Sequence, residues 1–498
     1  MTVSMSDSKA HGQRRKASVI ASVAQVIVTG LVYFLLFRYL YDRIGIEQVG
    51  VWSLVTATTS VSRIAELGLS AGVVRFVALA LGSKDEARAA EVIQTTTVTL
   101  AVFMCVALIA LYPAAVAVIR IVVPAASIGL AIDVLPYALV SLWINVVASV
   151  FSGGLDGCMR IDLRCIATGA SHIMLLVCAI VLTPIWELRG VALAQLLQAL
   201  GLLLSTWWLL KRQLRALPIV PLHWRKSLFR EMIGYGLSFQ VISIMNMLFE
   251  PMAKALMSKF GGLEALGFYE MANKLILQGR SVIVEASRFL VPSIAALPAG
   301  DSGKARDIFV TSYRVIFYVA VVFFGLLGIA LTGISLVWLG HYERTFVQFA
   351  LILNVGWFIN TLVVPAYFSN LGSGSLRANV ISHAVMGVVA AVAGWALGIG
   401  FGGLGVLIGT TLGLVSGSLI LSIGHIIASG FRWTSLVVPQ GMAGLSVATL
   451  ALALASNGYG AIDHSFGPVT VTALGCAGLL FLTGWFNPMR TQLQRKLS

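Results

Sequence analysis

The sequence predicts an all-α polytopic membrane protein with about 14 transmembrane helices, on three observations. Hydrophobic residues make up 58% of the 498-residue chain and charged residues only 11%, and the mean hydropathy is +0.92. Ordinary soluble domains carry about 25% charge. Apolar segments of spanning length recur along the whole chain. The lysines and arginines gather in alternate connections between those segments, as the positive-inside rule requires.

In order, the apolar segments run over 17–41, 47–80, 91–112, 132–154, 165–184, 189–210, 231–259, 264–297, 307–333, 346–371, 378–399, 403–429, 435–456 and 468–486. A bilayer needs ~20 helical residues, so the second and eighth are overlong. The stretch 68–72 (GLSAG) is expected to break the second, and Pro292 the eighth. The first 16 residues are polar and basic. The apolar run after them is too long for a signal-peptide core and no small-residue cleavage site follows it, so it is expected to be a retained first helix.

With that tail in the cytoplasm, the inside connections hold Lys9, Arg14, Arg15 and Lys16, then Lys84 and Arg88, Arg160 and Arg164, and Lys211, Arg212, Arg215, Arg225, Lys226 and Arg230. Further on come Lys304 and Arg306, Arg377, Arg432, and Arg490, Arg495 and Lys496. The outside connections hold Arg43, Arg120, Arg189, Lys259 and Arg344 alone. Topology and contact with anionic lipid account for these charges, and both termini are expected to be cytoplasmic. Net charge +14 is thus no sign of a nucleic-acid partner in this class of protein.

An internal repeat divides the chain. Gly50-Val51-Trp52 opens the second segment and Gly267-Phe268-Tyr269 the eighth, while Arg75-Phe76-Val77 resembles Arg288-Phe289-Leu290. The offset is the length of six helices, so the two halves are expected to be parallel six-helix lobes. The expected organisation is a tail over 1–16, an N-lobe over 17–210, a basic linker over 211–230 with Pro218 and Pro221, and a C-lobe over 231–429. Two accessory helices over 430–486 and a cytoplasmic tail over 487–498 complete it.

Polar stripes mark four helices. The first carries Ser18, Ser22, Gln25, Thr29 and Tyr33, the second Thr56, Thr59, Arg63 and Glu66, and the seventh Gln240, Ser243, Asn246, Glu250 and Lys254. On the eighth, Glu270, Lys274, Gln278, Ser281, Glu285 and Arg288 recur every three or four residues, which stacks them on one face. An ionisable side chain at the centre of a spanning helix costs roughly 2.5–3.5 kcal/mol. The embedded set therefore faces a bundle interior or a water-filled cavity. It comprises the cations Arg63, Arg75, Lys254, Lys274, Arg280 and Arg288 and the acids Glu66, Glu250, Glu270 and Glu285.

Two roles are open to this set. The spacings Glu250–Lys254 and Glu270–Lys274 (i,i+4) and Arg63–Glu66 and Glu285–Arg288 (i,i+3) permit local ion pairs that only hold helices together. The cations outnumber the acids, however, so a hydrated cavity lined by them would favour an anionic ligand. Lys254, Lys274 and Arg288 are the residues expected along the path. Arg280 lies off the stripe, and Arg75 follows the break in its helix.

No Walker loop, GxGxxG after a strand, HExxH, DxD or GxSxG is present, and no loop is large enough for an aqueous catalytic constellation, so an enzyme is not expected. The five cysteines (Cys105, Cys158, Cys165, Cys178, Cys476) form no CxxC and read as reduced packing residues. No metal or organic cofactor is expected.

The stretches Gly50-Val51-Trp52-Ser53-Leu54, Glu66-Leu67-Gly68-Leu69-Ser70 and Arg75-Phe76-Val77-Ala78, with Gly267-Phe268-Tyr269 and Phe289-Leu290-Val291-Pro292-Ser293, resemble a known family. The chain is similar to the polysaccharide transporters (Wzx-type flippases) of the multidrug/oligosaccharidyl-lipid/polysaccharide (MOP) exporter superfamily. The resemblance implies a MATE-like, V-shaped pair of lobes around a cationic cavity, with alternating access. It implies transport of a polyprenyl-pyrophosphate-linked oligosaccharide, an O-antigen or exopolysaccharide repeat unit, from the inner to the outer leaflet of a bacterial cytoplasmic membrane. The implied partners are that lipid-linked oligosaccharide, membrane lipids, a polysaccharide polymerase and a chain-length regulator. Coupling to a proton or sodium gradient, or to the membrane potential, stays open.

Three rivals remain at this point. A peptidoglycan-precursor flippase of the same superfamily is one. A drug antiporter is another, and it is disfavoured because the first helix has no acid between Ala17 and Tyr41. A membrane scaffold in an envelope-polymer assembly complex is the non-transport reading.

Overall fold

The structure is a computed structural model, and it describes residues 5–60, 69–287, 290, 294, 302–373, 377–429, 474–476 and 478. Among these the chain is helical nearly throughout, with no strand. Seven helices are long and apolar enough to cross a membrane, so the protein is a multi-pass membrane protein. Of the expected break at 68–72, residues 69–72 are helical and begin the third helix, and 68 lies outside the described residues, as do Pro292 and most of the two accessory helices.

The chain divides into two compact units, Met1–Leu263 and Glu264–Ser498. The first holds α1 (Met5–Ile44), α2 (Ile46–Ser60), α3 (Leu69–Gly82), α4 (Glu86–Val122), α5 (Ile128–Gly157), α6 (Ile161–Gln213) and the first half of α7 (Lys226–Ser287). The second holds the rest of α7, α8 (Ser302–Leu339), α9 (Arg344–Leu362), α10 (Val364–Ser373) and α11 (Arg377–Ser429).

Three helices are far too long for one span. The 53 residues of α6 would run to ~80 Å if straight, against a hydrocarbon core of ~30 Å. Each is broken by one residue with non-helical backbone: Glu187 in α6 (φ 48°, ψ −125°), Gly262 in α7 (φ 81°, ψ 176°) and Gly402 in α11 (φ 58°, ψ −139°). These lie in the gaps expected between 184 and 189, 259 and 264, and 399 and 403. At two of them the chain doubles back, because a Cβ on Gly190 would strike the carbonyl of Leu182, and one on Gly405 that of Leu397. Residues eight apart in a straight helix are ~12 Å apart.

The same positions display the internal repeat. Gly45 ends α1 at φ 80° and Gly262 breaks α7 at φ 81°, and each stands five residues before the glycine of its Gly50-Val51-Trp52 or Gly267-Phe268-Tyr269 motif. Glu187 and Gly402 share a left-handed conformation, as do their positions relative to Gly190 and Gly405. A glutamate in that region pays a steric cost that glycine avoids. Glu187→Gly is therefore expected to stabilise the fold by about 1 kcal/mol, read as a higher unfolding temperature in detergent micelles.

The hairpin of α11 is held by a glycine ladder. Gly405, Gly409, Gly413 and Gly417 recur every four residues, so they line one face. A Cβ at Gly409 would collide with the backbone of Ala393 and Gly394, at Gly413 it would lie 2.6 Å from Ala390 Cβ, and at Gly417 2.8 Å from Met386 Cβ and Ser382 O. Ser382 Oγ donates to Gly417 O at 2.7 Å. Without a hydrophobic driving force between helices in lipid, close backbone approach of this kind supplies the packing.

One sequence expectation is corrected here. The gap between the segments 91–112 and 132–154 predicts an outward connection, but α4 continues through Pro113 to Val122 and a short 3-10 turn, Ala125–Ser127, leads into α5. Pro113 removes one backbone hydrogen bond of a 37-residue helix, which the apolar run after it tolerates.

From the polar stripe of the first helix, Ser22 and Tyr33 meet α6. Ser22 Oγ lies 3.5 Å from Cys165 Sγ, and the Tyr33 ring meets His172 edge-on at 5.6 Å. Those residues fasten α1 to α6. All five cysteines are free. In the α5–α6 connection, burial, with help from Glu86 and against the pull of Arg160, pushes the Cys158 thiol up to about 11, which keeps it protonated and unreactive.

Candidate functional site

Of the ten embedded charges, Arg63, Glu66 and Arg288 lie outside the described residues. Arg75 is exposed on α3, and Glu285 is exposed on α7. Four of the others form the local pairs allowed by their spacing. Lys254 Nζ is 2.9 Å from Glu250 Oε1, with the lysine side chain only 5% exposed and the carboxylate 44%. Lys274 Nζ is 3.7 Å from Glu270 Oε1, and here the acid is the buried partner. Each pair is close to neutral as a unit, and partial exposure of one member lowers its desolvation cost.

Arg280 stands apart. No carboxylate lies within ion-pair distance of it among the described residues. Its Nη2 donates to Asn360 Oδ1 at 2.7 Å, its guanidinium sits 4.9 Å from the centroid of the Trp357 ring, and its buried Nε finds no acceptor among the described residues. A planar cation stacked on an aromatic face and hydrogen-bonded on one side keeps its other donors in a fixed fork. That is the geometry of a receptor for a phosphate or carboxylate.

The second unit supports this arginine with a polar seam. Asn273 and Arg280 are seven residues apart on α7, hence on one face, and that face meets α9. Trp357 Nε1 donates to Asn273 Oδ1 at 3.0 Å, which fixes the indole under the guanidinium. Asn360 Nδ2 donates to Ser418 Oγ on α11 at 3.1 Å, and Ser422 Oγ donates to Ser418 O at 3.0 Å. The phase of Arg280, off the charged stripe of its helix, is explained by this contact with α9.

Ser418 also lines a cavity of about 370 Å³ with Phe309, Tyr313, Leu362, Ser422 and His425. On its far side His425 Nδ1 donates to Asn370 Oδ1 at 2.7 Å, and Asn370 Nδ2 donates to Asn379 Oδ1 at 2.8 Å. The amide side chains Asn273, Asn360, Asn370 and Asn379 were not singled out by sequence reasoning. Their signal is faint, since each is a neutral amide within an apolar run of its helix. Gly279, beside Arg280, lets the Phe323 ring approach where a Cβ would collide with it.

The MatE family model matches residues 9–185. No curated protein matches the sequence. Among solved structures, the chain is similar to an inward-facing multidrug resistance MATE family transporter of the MOP superfamily, with TM-score 0.69 and 16% identity over 82% of this chain and 98% of that one. It is similar to the lipid II flippase MurJ in an inward closed conformation, with TM-score 0.70 and 11% identity over 96% and 99% of the two chains. A MOP superfamily transporter from Pyrococcus furiosus, described as having a binding pocket of reverse polarity, matches with TM-score 0.60 and 15% identity over 84% and 96%. The MatE match thus covers the first part of the chain, 9–185, and the fold is the one shared by that MATE transporter and the MurJ flippase.

Proposed function

We propose that this protein is a flippase that moves a polyprenyl-pyrophosphate-linked oligosaccharide across the bilayer by alternating access. The observation that carries the reading is the buried guanidinium of Arg280, held by Asn360 and Trp357 with no carboxylate beside it among the described residues. An uncompensated embedded cation is stabilised by an anionic ligand, and a pyrophosphate supplies oxygens in the spacing a guanidinium fork accepts. A cationic drug would be repelled there. Alternating access would present the charged headgroup to the outer leaflet, a movement favoured by ~2.3 kcal/mol per charge per 100 mV when the interior is negative.

The extent of the structural likeness favours a second reading within the flippases. The match to MurJ covers 96% of the chain and the match to the MATE transporter 82%. A peptidoglycan lipid precursor carries the same class of pyrophosphate headgroup, so both readings place the anion at Arg280.

The test is reconstitution in proteoliposomes loaded with pyrophosphate-linked oligosaccharide in one leaflet. Appearance of the glycan in the other leaflet is read by its accessibility to an added glycosidase. Protein-dependent transfer of the oligosaccharide carrier is expected. Transfer of lipid II alone would assign the second reading, and transfer of a cationic dye with neither lipid would overturn both.

A further inference from the structure

The connection from α6 to α7 has features that the transport reading does not use. It is non-helical over 214–225, yet it is fastened along α4. His223 N donates to Gln94 Oε1 at 3.3 Å, Trp224 Nε1 to Thr99 Oγ1 at 3.1 Å, and Arg225 N to Thr95 Oγ1 at 3.4 Å. Arg225 Nη1 donates to Glu91 Oε2 at 2.6 Å, and just beyond, Arg88 Nη2 lies 3.5 Å from Glu231 Oε2. The segment is a strap with a set position.

That position is beside the apolar part of α4. Thr95 and Thr99 lie inside the apolar segment 91–112, one and two turns past Glu91, or about 6 and 12 Å along the axis. The strap nevertheless presents large apolar side chains outward: Ile219 is 66% exposed, Val220 59%, Leu222 73% and Trp224 45%. In water such a cluster is unfavourable, while at the boundary between headgroups and acyl chains it is stabilised.

The charge is complementary to one kind of surface. Between 211 and 230 stand Lys211, Arg212, Arg215, Arg225, Lys226 and Arg230 and no acid, and Arg212, Arg215, Lys226 and Arg230 are exposed. At the end of α6, Arg212 lies 3.5 Å from the centroid of the Trp208 ring and Lys211 5.8 Å from that of Trp207. Tryptophans of this kind mark the membrane–water interface.

We propose that residues 211–230 form a binding strap for anionic phospholipid. Ile219, Val220, Leu222 and Trp224 enter the leaflet on their side of the membrane, and Arg212, Arg215, Lys226 and Arg230 hold its phosphate headgroups. The strap would tie α4 and the start of α7 to the lipid surface. This inference rests on the protein spanning a membrane and is independent of the transported substrate.

Two measurements on the full-length protein test it. The first is retention of phosphatidylglycerol against phosphatidylcholine, read by native mass spectrometry from mixed micelles. Each cation near an anionic surface contributes about fivefold in affinity. The variant R212Q/R215Q/K226Q/R230Q is therefore expected to retain phosphatidylglycerol at least about tenfold more weakly, with inorganic phosphate failing to compete in the wild type. Equal retention by variant and wild type, or displacement of the lipid by inorganic phosphate, would overturn the proposal. The second is depth. An environment-sensitive dye at I219C or L222C, in a background with the five native cysteines replaced, is expected to be quenched by nitroxide-labelled lipid and shielded from aqueous iodide. Quenching by iodide alone would overturn the insertion, whatever the lipid result.

Discussion

Replacing Arg280 by glutamine is expected to abolish transfer of the lipid-linked oligosaccharide while the protein stays folded and at least as stable as the wild type. The two halves of that result have different origins. A guanidinium with no carboxylate partner among the described residues is a cost to the folded protein, so removing its charge relieves the fold. The same removal withdraws a charge-assisted, forked contact from the ligand, on the order of 2–5 kcal/mol and therefore at least about 30-fold in affinity. A residue that only held helices together would show the opposite pattern, with a lower unfolding temperature and transport lost in proportion to folded protein. Arg280→Lys separates charge from shape. It keeps the cation but loses the planar stack on Trp357 and the fixed fork, so partial transport is expected. Full transport by the glutamine variant in proteoliposomes would remove Arg280 from the path.

Lys254 provides the contrast. Its ammonium is buried 2.9 Å from the Glu250 carboxylate. Glu250→Gln is expected to reduce membrane levels by breaking the ion pair of a buried cation, a loss of about 3–5 kcal/mol. The double variant Lys254→Met/Glu250→Gln is expected to restore those levels. Immunoblotting of membranes checks both.

Gly409→Leu and Gly413→Leu are expected to prevent stable folding of the second unit. At Gly409 the new Cβ would occupy space held by the backbone of Ala393 and Gly394, and at Gly413 it would press on Ala390 Cβ and on Met386 O at 2.7 Å. Backbone atoms cannot rotate aside as a flexible side chain can, so the two arms of α11 must separate along the ladder. The cost is at the upper end of overpacking, above ~3 kcal/mol, and each displaced contact loosens its neighbours. Loss of the monodisperse peak in size-exclusion chromatography is the expected readout. Gly387 and Gly400, on the same hairpin, have nothing within 4 Å of a Cβ. Alanine at Gly387 is expected to be tolerated, with a gain of about 0.5–1 kcal/mol from helix propensity. If alanine at Gly387 disrupts folding as leucine at Gly409 and Gly413 does, the ladder is not what closes the hairpin.

By itself the sequence determined the class of structure and its punctuation. Membrane helices are legible one at a time, because each must satisfy its own backbone hydrogen bonds and present apolar side chains to lipid. The turns at Glu187, Gly262 and Gly402 were legible as gaps in hydropathy. The repeat was read from Gly50-Val51-Trp52 and Gly267-Phe268-Tyr269, and each motif stands five residues after a glycine at positive φ, Gly45 or Gly262. The ion pairs Glu250–Lys254 and Glu270–Lys274 were legible for a similar reason: their partners lie one helical turn apart. The tertiary structure decided everything that depends on residues distant in sequence. Asn360 is 80 residues from Arg280, so spacing alone reveals neither the fork nor the absence of a carboxylate beside it among the described residues, in an arginine that lay off the charged stripe. The glycines from Gly405 to Gly417 were visible as composition, but only the partner arm of the hairpin shows which of them touch backbone. The stripe on the second half of α7 was read as facing a bundle interior or a water-filled cavity. On it Glu270 pairs with Lys274, while on the adjacent face toward α9 Arg280 has no carboxylate within ion-pair distance among the described residues, because compensation is set by distance in space rather than by distance along the chain.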